Sequence, residues 1–180
     1  MSVPDHDVPE EVVWQGRFVT AKKRGRWEYV SRARNIAAAV IVAIDRDEEG
    51  DHVLLVEQYR VPLDRICLEL PAGLIGDETE GEAVEIAAAR ELEEETGYRP
   101  ARVTDLGLYY SSPGMVSEAF TLLRAEGLEK VSEGGGVEGE NIVVHRVRMD
   151  GIADFVAAKR EEGVAIDVRL LLLLAGDWLG

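Results

Sequence analysis

Apolar residues fall along this chain in short runs separated by charged or glycine-bearing turns, and the runs alternate between strand-like and helix-like spacing. Residues 1–11 carry no such pattern and read as frayed. From Val12 to Arg34 the pattern is that of strands: Trp27, Tyr29 and Ser31 alternate with Glu28, Val30 and Arg32, and Lys23-Arg24-Gly25 has the make-up of a hairpin turn. This stretch predicts a small β-arm ahead of the main domain. Ala37–Ile44 (AAAVIVAI) is apolar without a break, which predicts a buried strand. The charged turn DRDEEGD leads to a second strand, HVLLVEQYR. After Val61-Pro62 a short strand, ICLEL, ends at Pro71-Ala72-Gly73.

A helix is predicted from about Thr79 to Thr96, stopped by Gly97 at the usual position just past a helix end. Thr79 and Glu82 form a capping box, although Glu82 could equally close the preceding loop. RVTDLGLYYS and AFTLLRAEGL read as strands on either side of the turn Ser112-Pro113-Gly114. SEGGGVEGEN reads as a flexible loop, NIVVHRVRM as a strand, and DGIADFVAAKREEG and IDVRLLLLLAGDWL as two closing helices with apolar faces. No internal repeat is present. Strands and helices intermixed in this order predict an α/β sandwich around a mixed sheet. The arm would occupy residues 1–34 and the main domain residues 35–180.

Composition narrows the functional classes. The 180 residues are 46% hydrophobic, an ordinary globular value, and carry a net charge of −15. Such an excess of acid argues against a nucleic-acid or anionic-membrane partner. It would also repel an anionic substrate, so a phosphate site in this chain must supply local cations or a metal. The single Cys67 lies in the apolar run RICLEL and reads as a buried structural thiol. MSVPDHDVPEE has neither a basic start nor an apolar stretch, and Leu170–Leu174 is too short to span a bilayer, so a cytoplasmic protein is expected.

One segment concentrates acid where it is costly. Between Gly76 and Tyr98 the chain reads Gly76-x5-Glu82-x7-Arg90-Glu91-Leu92-x-Glu94-Glu95-x-Gly97-Tyr98. Glu91, Glu94 and Glu95 stand at i, i+3 and i+4 and so share one helical face. Like charges at those spacings destabilise a bare helix by about 0.2–0.5 kcal/mol per pair, which a bound divalent cation would offset. Carboxylate oxygens suit Mg2+, with Mn2+ able to substitute, and Mg2+ bound through a few carboxylates usually completes its shell with water and substrate phosphate. His6, His52 and His145 are scattered and read as surface or packed residues, so zinc is not indicated. Phosphoester or phosphoanhydride chemistry is the natural class. Arg90, four residues before Glu94, is placed to orient a carboxylate by an ion pair.

The segment resembles the Nudix box of the Nudix hydrolase superfamily at every specified position, with Tyr98 where an aliphatic residue is usual. A box beginning at Gly73 would be three residues too long before Glu82, which marks an insertion in that loop but leaves the Arg90–Glu95 register intact. The resemblance implies a Nudix-type α/β/α sandwich, metal ligation by Glu91 and Glu95 with Glu94 close by, and a backbone carbonyl contributed at Ala72. WEYVSR (Trp27–Arg32), EQYR (Glu57–Arg60), ELPAGLI (Glu69–Ile75) and Pro113, 15 residues after Tyr98, resemble the ADP-ribose pyrophosphatase subfamily. That likeness implies a homodimer whose arm crosses to the partner subunit, with Trp27 stacked on the base. A core aromatic of the arm is the other reading of Trp27. It also implies Arg32 and Arg60 on phosphates or the base region, and Glu69, Ser112 and Pro113 among the substrate-binding residues. Glu138 and Glu140 would supply the general base and a metal contact. Glu140 is the first choice for the base, and Glu118 is a further alternative. The Gly134-x-Gly136-x-x-Gly139 stretch leads into a strand, so it is no dinucleotide fingerprint and suits a mobile loop instead.

The expected activity is Mg2+-dependent hydrolysis of the pyrophosphate bond of ADP-ribose to AMP and ribose 5-phosphate. A broader nucleoside-diphosphate-sugar pyrophosphatase and a non-catalytic nucleotide-binding module are the rivals.

Overall fold

A computed structural model of the chain describes residues 4–33, 37–75, 83–136 and 139–179. Two sheets carry the structure. The first is a three-stranded antiparallel sheet of β1 (Glu11–Gln15), β2 (Val19–Arg24) and β3 (Trp27–Arg32). Its β2–β3 hairpin pairs Arg24 with Trp27, and Gly25 supplies the positive φ of 58° that a two-residue loop needs. This sheet is stitched to the main domain: Val30 N–H donates to the Met115 carbonyl (3.0 Å), Ser117 N–H to the Val30 carbonyl (2.9 Å), and the Ser31 and Ser117 hydroxyls meet at 2.7 Å.

The second is an 8-stranded mixed sheet. It contains β4 (Ala37–Asp47), β5 (Gly50–Arg60), β6 (Arg65–Glu69), β7 (Ala72–Ile75), β8 (Tyr98–Tyr110), β9 (Ala119–Lys130), β10 (Val143–Arg148) and β11 (Ala165–Ile166). The central path runs β11-β6-β5-β4-β9-β8, with β10 on β5 and β7 on the first half of β4. β4 runs parallel to β9 and antiparallel to β5 and β7.

The unbroken apolar run of β4 has a simple cause. Ala39, Ile41 and Ala43 pack with Leu54, Leu123, Ala88 and Leu92 under helix α1 (Val84–Thr96). Val40, with Val53, Leu55 and Leu122, packs instead under α2 (Ile152–Glu161) and α3 (Leu171–Leu179), against Ile152, Val156, Leu170 and Leu174. Helices cover both faces, so period-two alternation disappears from sequence while the side chains still alternate in space. The result is the α/β/α sandwich expected. Among the described residues no helix is long and apolar enough to cross a membrane.

Three local features differ from the expected elements. α1 begins at Val84, after Ala83 in an extended conformation; Gly76, the Thr79–Glu82 capping box and the box insertion lie outside the described residues. The last helix starts at Leu171, because Asp167 accepts the Arg169 N–H and opens a 3-10 turn over Val168–Leu170 first. Residues 132–136, the first part of the segment expected to be a mobile loop, are tied to the end of α1. Gly135 and Gly136 N–H groups donate to the Glu95 and Glu94 carbonyls (2.8 and 3.1 Å), and Val131 and Ser132 N–H groups donate to the Gly97 carbonyl (2.8 and 3.2 Å). These bonds satisfy carbonyls that a helix end leaves without partners.

Gly97 closes α1 with φ 77°, and a Cβ there would collide with the Ser132 backbone. Gly97→Ala is expected to lower stability by at least the about 1–3 kcal/mol of a strained left-handed residue, read as a fall in the urea midpoint. A midpoint equal to the parent's would mean that segment 131–136 is not packed against the helix end.

Candidate active site

The last turns of α1 build one wall of a cleft. Leu92 and Ala88 are fully buried and fix the helix to the sheet; Glu91 and Glu95, three and seven residues after Ala88, border that same face, and Glu94 lies further round toward solvent. Glu95 reaches furthest in, and its Oε2 accepts the backbone N–H of Ala72 at 3.1 Å. Beside it Gly73 allows a close approach of strand and helix, since a Cβ at this position would fall on the Glu91 side chain. Burial pushes the Glu95 carboxyl up to about 8; the Ala72 N–H opposes the rise, the charges of Glu91 and Glu140 add to it, and Arg60 opposes it. Arg90 pairs with Glu91 (3.1 Å) and Glu94 (3.4 Å), the orienting role expected of it.

The cleft has a volume of about 760 Å³, and four arginines and seven carboxylates line it, so it is net negative. Its floor is an ion-paired frame. Arg60 donates from Nε and Nη2 to the two oxygens of Glu69 (2.5 and 2.9 Å), and Arg169 Nη2 reaches Glu69 Oε2 at 3.3 Å. Asp167 holds Arg169 in a fork from Nε (2.6 Å) and Nη2 (2.7 Å). The short strand β11 brings this turn to the floor: it pairs in parallel with β6, and Asp167 N–H donates to the Leu68 carbonyl at 3.0 Å. Arg32, which also lines the cleft, pairs with Glu118.

Ala72, Glu91, Glu94, Glu95, Glu140, Arg32, Arg60 and Glu69 are thus brought together in one cleft. Ala72 is seen to offer its N–H to Glu95. Arg32 and Arg60, expected as local positive charge, are each matched by a carboxylate, and Glu69 has only 4% of its side chain exposed. Trp27, Ser112 and Pro113 do not line the cleft of this chain. Trp27 lies half exposed on the arm, and the Ser112 carbonyl accepts from Met115 and Val116 N–H (both 2.9 Å) in the turn that delivers residues 115–118 to β3. Glu138 lies outside the described residues. Arg169, Asp167, Gln58 and Phe120 line the cleft and went unread in the sequence. Asp167-x-Arg169 ahead of an apolar helix was the available signal, since Asp is a preferred helix-start residue.

Other reactive groups stand apart. Cys67 is buried, and burial with the nearby Glu69 and Asp167 charges pushes its thiol up to about 12, so it is no nucleophile near neutrality. Asp47, Glu49 and His52 bring ligand-type atoms within 4.8 Å of one another at the β4–β5 turn. That group is no metal centre by this geometry alone, because Arg146 already neutralises Asp47 (2.5 Å) and Asp45 (2.6 Å).

A family model described as the NUDIX domain matches residues 34–161. The chain belongs to the Nudix family. It is a Nudix hydrolase, and enzymes of this family generally use a divalent metal. An uncharacterized Nudix hydrolase of Schizosaccharomyces pombe is 30% identical over 159 residues, 83% of this chain and 76% of that one. The ADP-ribose pyrophosphatase of Bacillus subtilis is 40% identical over 97 residues, 54% of this chain and 49% of that one. Among solved structures, an ADP compounds hydrolase superposes with a TM-score of 0.68 at 26% identity, covering 95% of this chain and 91% of that one.

The Nudix helix therefore carries its acids at a stability cost that depends on pH. The carboxyl of Glu95 titrates near 8 in the folded chain against an ordinary 4.5, so its neutral form stabilises the fold below 4.5 and that contribution is lost as pH rises through 8. In chelator, the urea midpoint of the parent is expected to fall between pH 5 and pH 8.5 relative to that of Glu95→Gln. Parallel midpoints across that range would show that the carboxyl is not held in this way.

Proposed function

We propose that this Nudix hydrolase cleaves the pyrophosphate bond of a nucleoside diphosphate linked to a sugar, with ADP-ribose as substrate and AMP and ribose 5-phosphate as products. The observation that carries the reading is the convergence of Glu91, Glu95 and Glu140 on a cleft whose opposite floor is arginine-bearing. A diphosphate has oxygens to offer the arginines and to offer a divalent cation held by the acids. The B. subtilis relative and the structural neighbour, by the activities in their names, support the adenosine diphosphate half.

The residues present fit a hard divalent ion, Mg2+ or Mn2+. The donors are carboxylate and backbone oxygens, and burial, with the charges of Glu91 and Glu140 adding to it, lifts the Glu95 carboxyl to about 8, a position that favours a cation. Glu91 and Glu95 would hold the ion, with Glu94 and the Ala72 carbonyl nearby. When bound, it would polarise the phosphoryl oxygens and lower the pKa of the attacking water.

The chain's own residues do the rest. Glu140 is the group we assign as general base, taking the proton of the water; its Oε2 curls back over Gly136, where a Cβ would displace it. Arg60, held by the two bonds that it donates to Glu69, orients a phosphate. Arg90 keeps Glu91 and Glu94 in place. We assign residues 1–34 to a dimerisation arm whose Trp27 completes the base site of a partner subunit. The arm supports this with exposed Val12, Val13, Trp14, Phe18 and Trp27.

A broader nucleotide-sugar activity is the second reading, because Trp27 does not line this chain's own cleft. A hydrolysis panel of ADP-ribose, ADP-glucose, UDP- and GDP-sugars, NADH and dinucleoside polyphosphates with Mg2+ separates the two. ADP-ribose is expected to give the highest kcat/KM. Comparable values for several nucleotide sugars would favour the broader reading, and no turnover of any would overturn both.

Glu91→Gln is expected to lower kcat by more than about 100-fold, beyond the cost of losing an outer partner of a metal ligand, with the urea midpoint retained. Near-parental turnover would remove Glu91 from the metal set. Trp27→Ala is expected to raise KM for adenine nucleotides about tenfold, within the range of one lost base stack, at similar kcat. An unchanged KM would separate the arm from the site, and sedimentation equilibrium on the same samples reports whether the chain is a dimer.

A further inference from the structure

We infer that Arg169 is a specificity-determining residue of the cleft, holding the sugar that flanks the diphosphate on the side away from the α1 acids. This rests on the hydrolase reading given above and adds to it a residue from the far end of the chain.

The geometry of the floor leads there. Glu69 has both oxygens engaged, Oε1 by Arg60 and Oε2 by Arg60 and Arg169, and only 4% of its side chain is exposed. It therefore acts as a hub that orients two guanidinium planes, with little capacity left for a substrate hydroxyl. Asp167 fixes the second plane through a two-bond fork and also accepts the Arg169 backbone N–H at 2.8 Å. Arg169 so spends Nε and Nη2 on carboxylates, and among the described residues its Nη1 makes no hydrogen bond. The guanidinium also stands 5.8 Å from the centre of the Phe120 ring, which lines the same cleft. A donor locked by two acids and backed by an aromatic ring is preorganised for an oxygen-bearing group.

Position selects which part of the substrate that group belongs to. Arg60 closes β5, whose neighbour β4 pairs with β7 and packs under α1, whereas Arg169 follows β11 at the sheet edge beyond β6. The two arginines meet on Glu69, with Arg60 on the strand nearer α1. A diphosphate gripped by Arg60 places its flanking sugar at Arg169. Leu63 and Val168, both exposed and both lining the cleft, give that position an apolar edge against which a sugar ring can lie.

The test compares the full chain with Arg169→Gln and Arg169→Lys in saturating Mg2+, using ADP-ribose, ADP-glucose and the best substrate of the wider panel. Arg169→Gln is expected to raise KM for the best substrate about tenfold or more, the cost of a charge-assisted hydrogen bond, and to shrink the kcat/KM ratio between ADP-ribose and ADP-glucose. Arg169→Lys keeps the charge but not the fork, and is expected to recover stability more fully than KM. Urea midpoints are recorded alongside. An arginine that merely neutralises Glu69 and Asp167 would lower the midpoint and the active fraction, hence apparent kcat, while KM and the substrate ratio stayed put. That outcome in either soluble variant overturns the inference. An unmutated chain that hydrolyses nothing in the panel overturns the hydrolase reading and this inference with it. An active one with unmoved KM in the variants overturns only the role of Arg169.

Discussion

The contact on which the site depends is the one between the end of α1 and the start of β7, where Glu95 accepts the Ala72 N–H and Gly73 lets Glu91 lie against the strand. Leu92 and Ala88 drive the helix into the sheet from one side by burial, and the acids are carried inward as a consequence. The same helix end is closed by Gly97 and by N–H groups of residues 131–136, which leads the chain on toward Glu140. Loosening this contact would separate the acids of the helix from the β7 backbone.

Electrostatics in the cleft divide into two parts. The floor is made of matched pairs, Arg60 and Arg169 with Glu69 and Asp167, and Arg32 with Glu118. Pairing lets charged groups be partly buried without the penalty of an isolated charge. Opposite them, Glu91, Glu94, Glu95 and Glu140 have Arg90 as the arginine on their wall. A fold selected for stability alone would not bury a carboxyl beside other acids until it titrates near 8. Such displaced titration in a cleft is a mark of function, and the family match gives it a chemical meaning.

Most of the layered architecture was legible from local pattern. Strands such as AAAVIVAI and HVLLVEQYR are long and apolar enough to read directly, and Gly97 marked the helix end. The elements that escaped were short. β7 has four residues and β11 two, too few for any period to be counted, and both exist because a neighbouring strand offers them hydrogen bonds. The glycines of SEGGGVEGEN misled for a related reason. Glycine permits positive φ in a mobile loop and in a tightly docked one alike, and only the helix end beside Gly134–Gly136 distinguishes the two.

The order of residues along the chain was enough to specify the chemistry of the helix: three carboxylates on one face, in a register that helical geometry imposes within a few residues. It also carried the likeness to a family, and with it the type of reaction. The three-dimensional fold selected the distant residues that share the cleft. Residues 32, 60, 69, 72, 95, 140 and 169 meet because β3 is stitched to residues 115–118, β6 lies beside β5, β7 doubles back on β4, and β11 joins β6. It likewise showed Arg32 and Arg60 to be already partnered, and set Trp27, Ser112 and Pro113 off the cleft of a single chain. Local periodicity is written by near neighbours and can be read along the chain. Which side chains converge depends on strand pairing between segments far apart, where no short-range pattern records the partner.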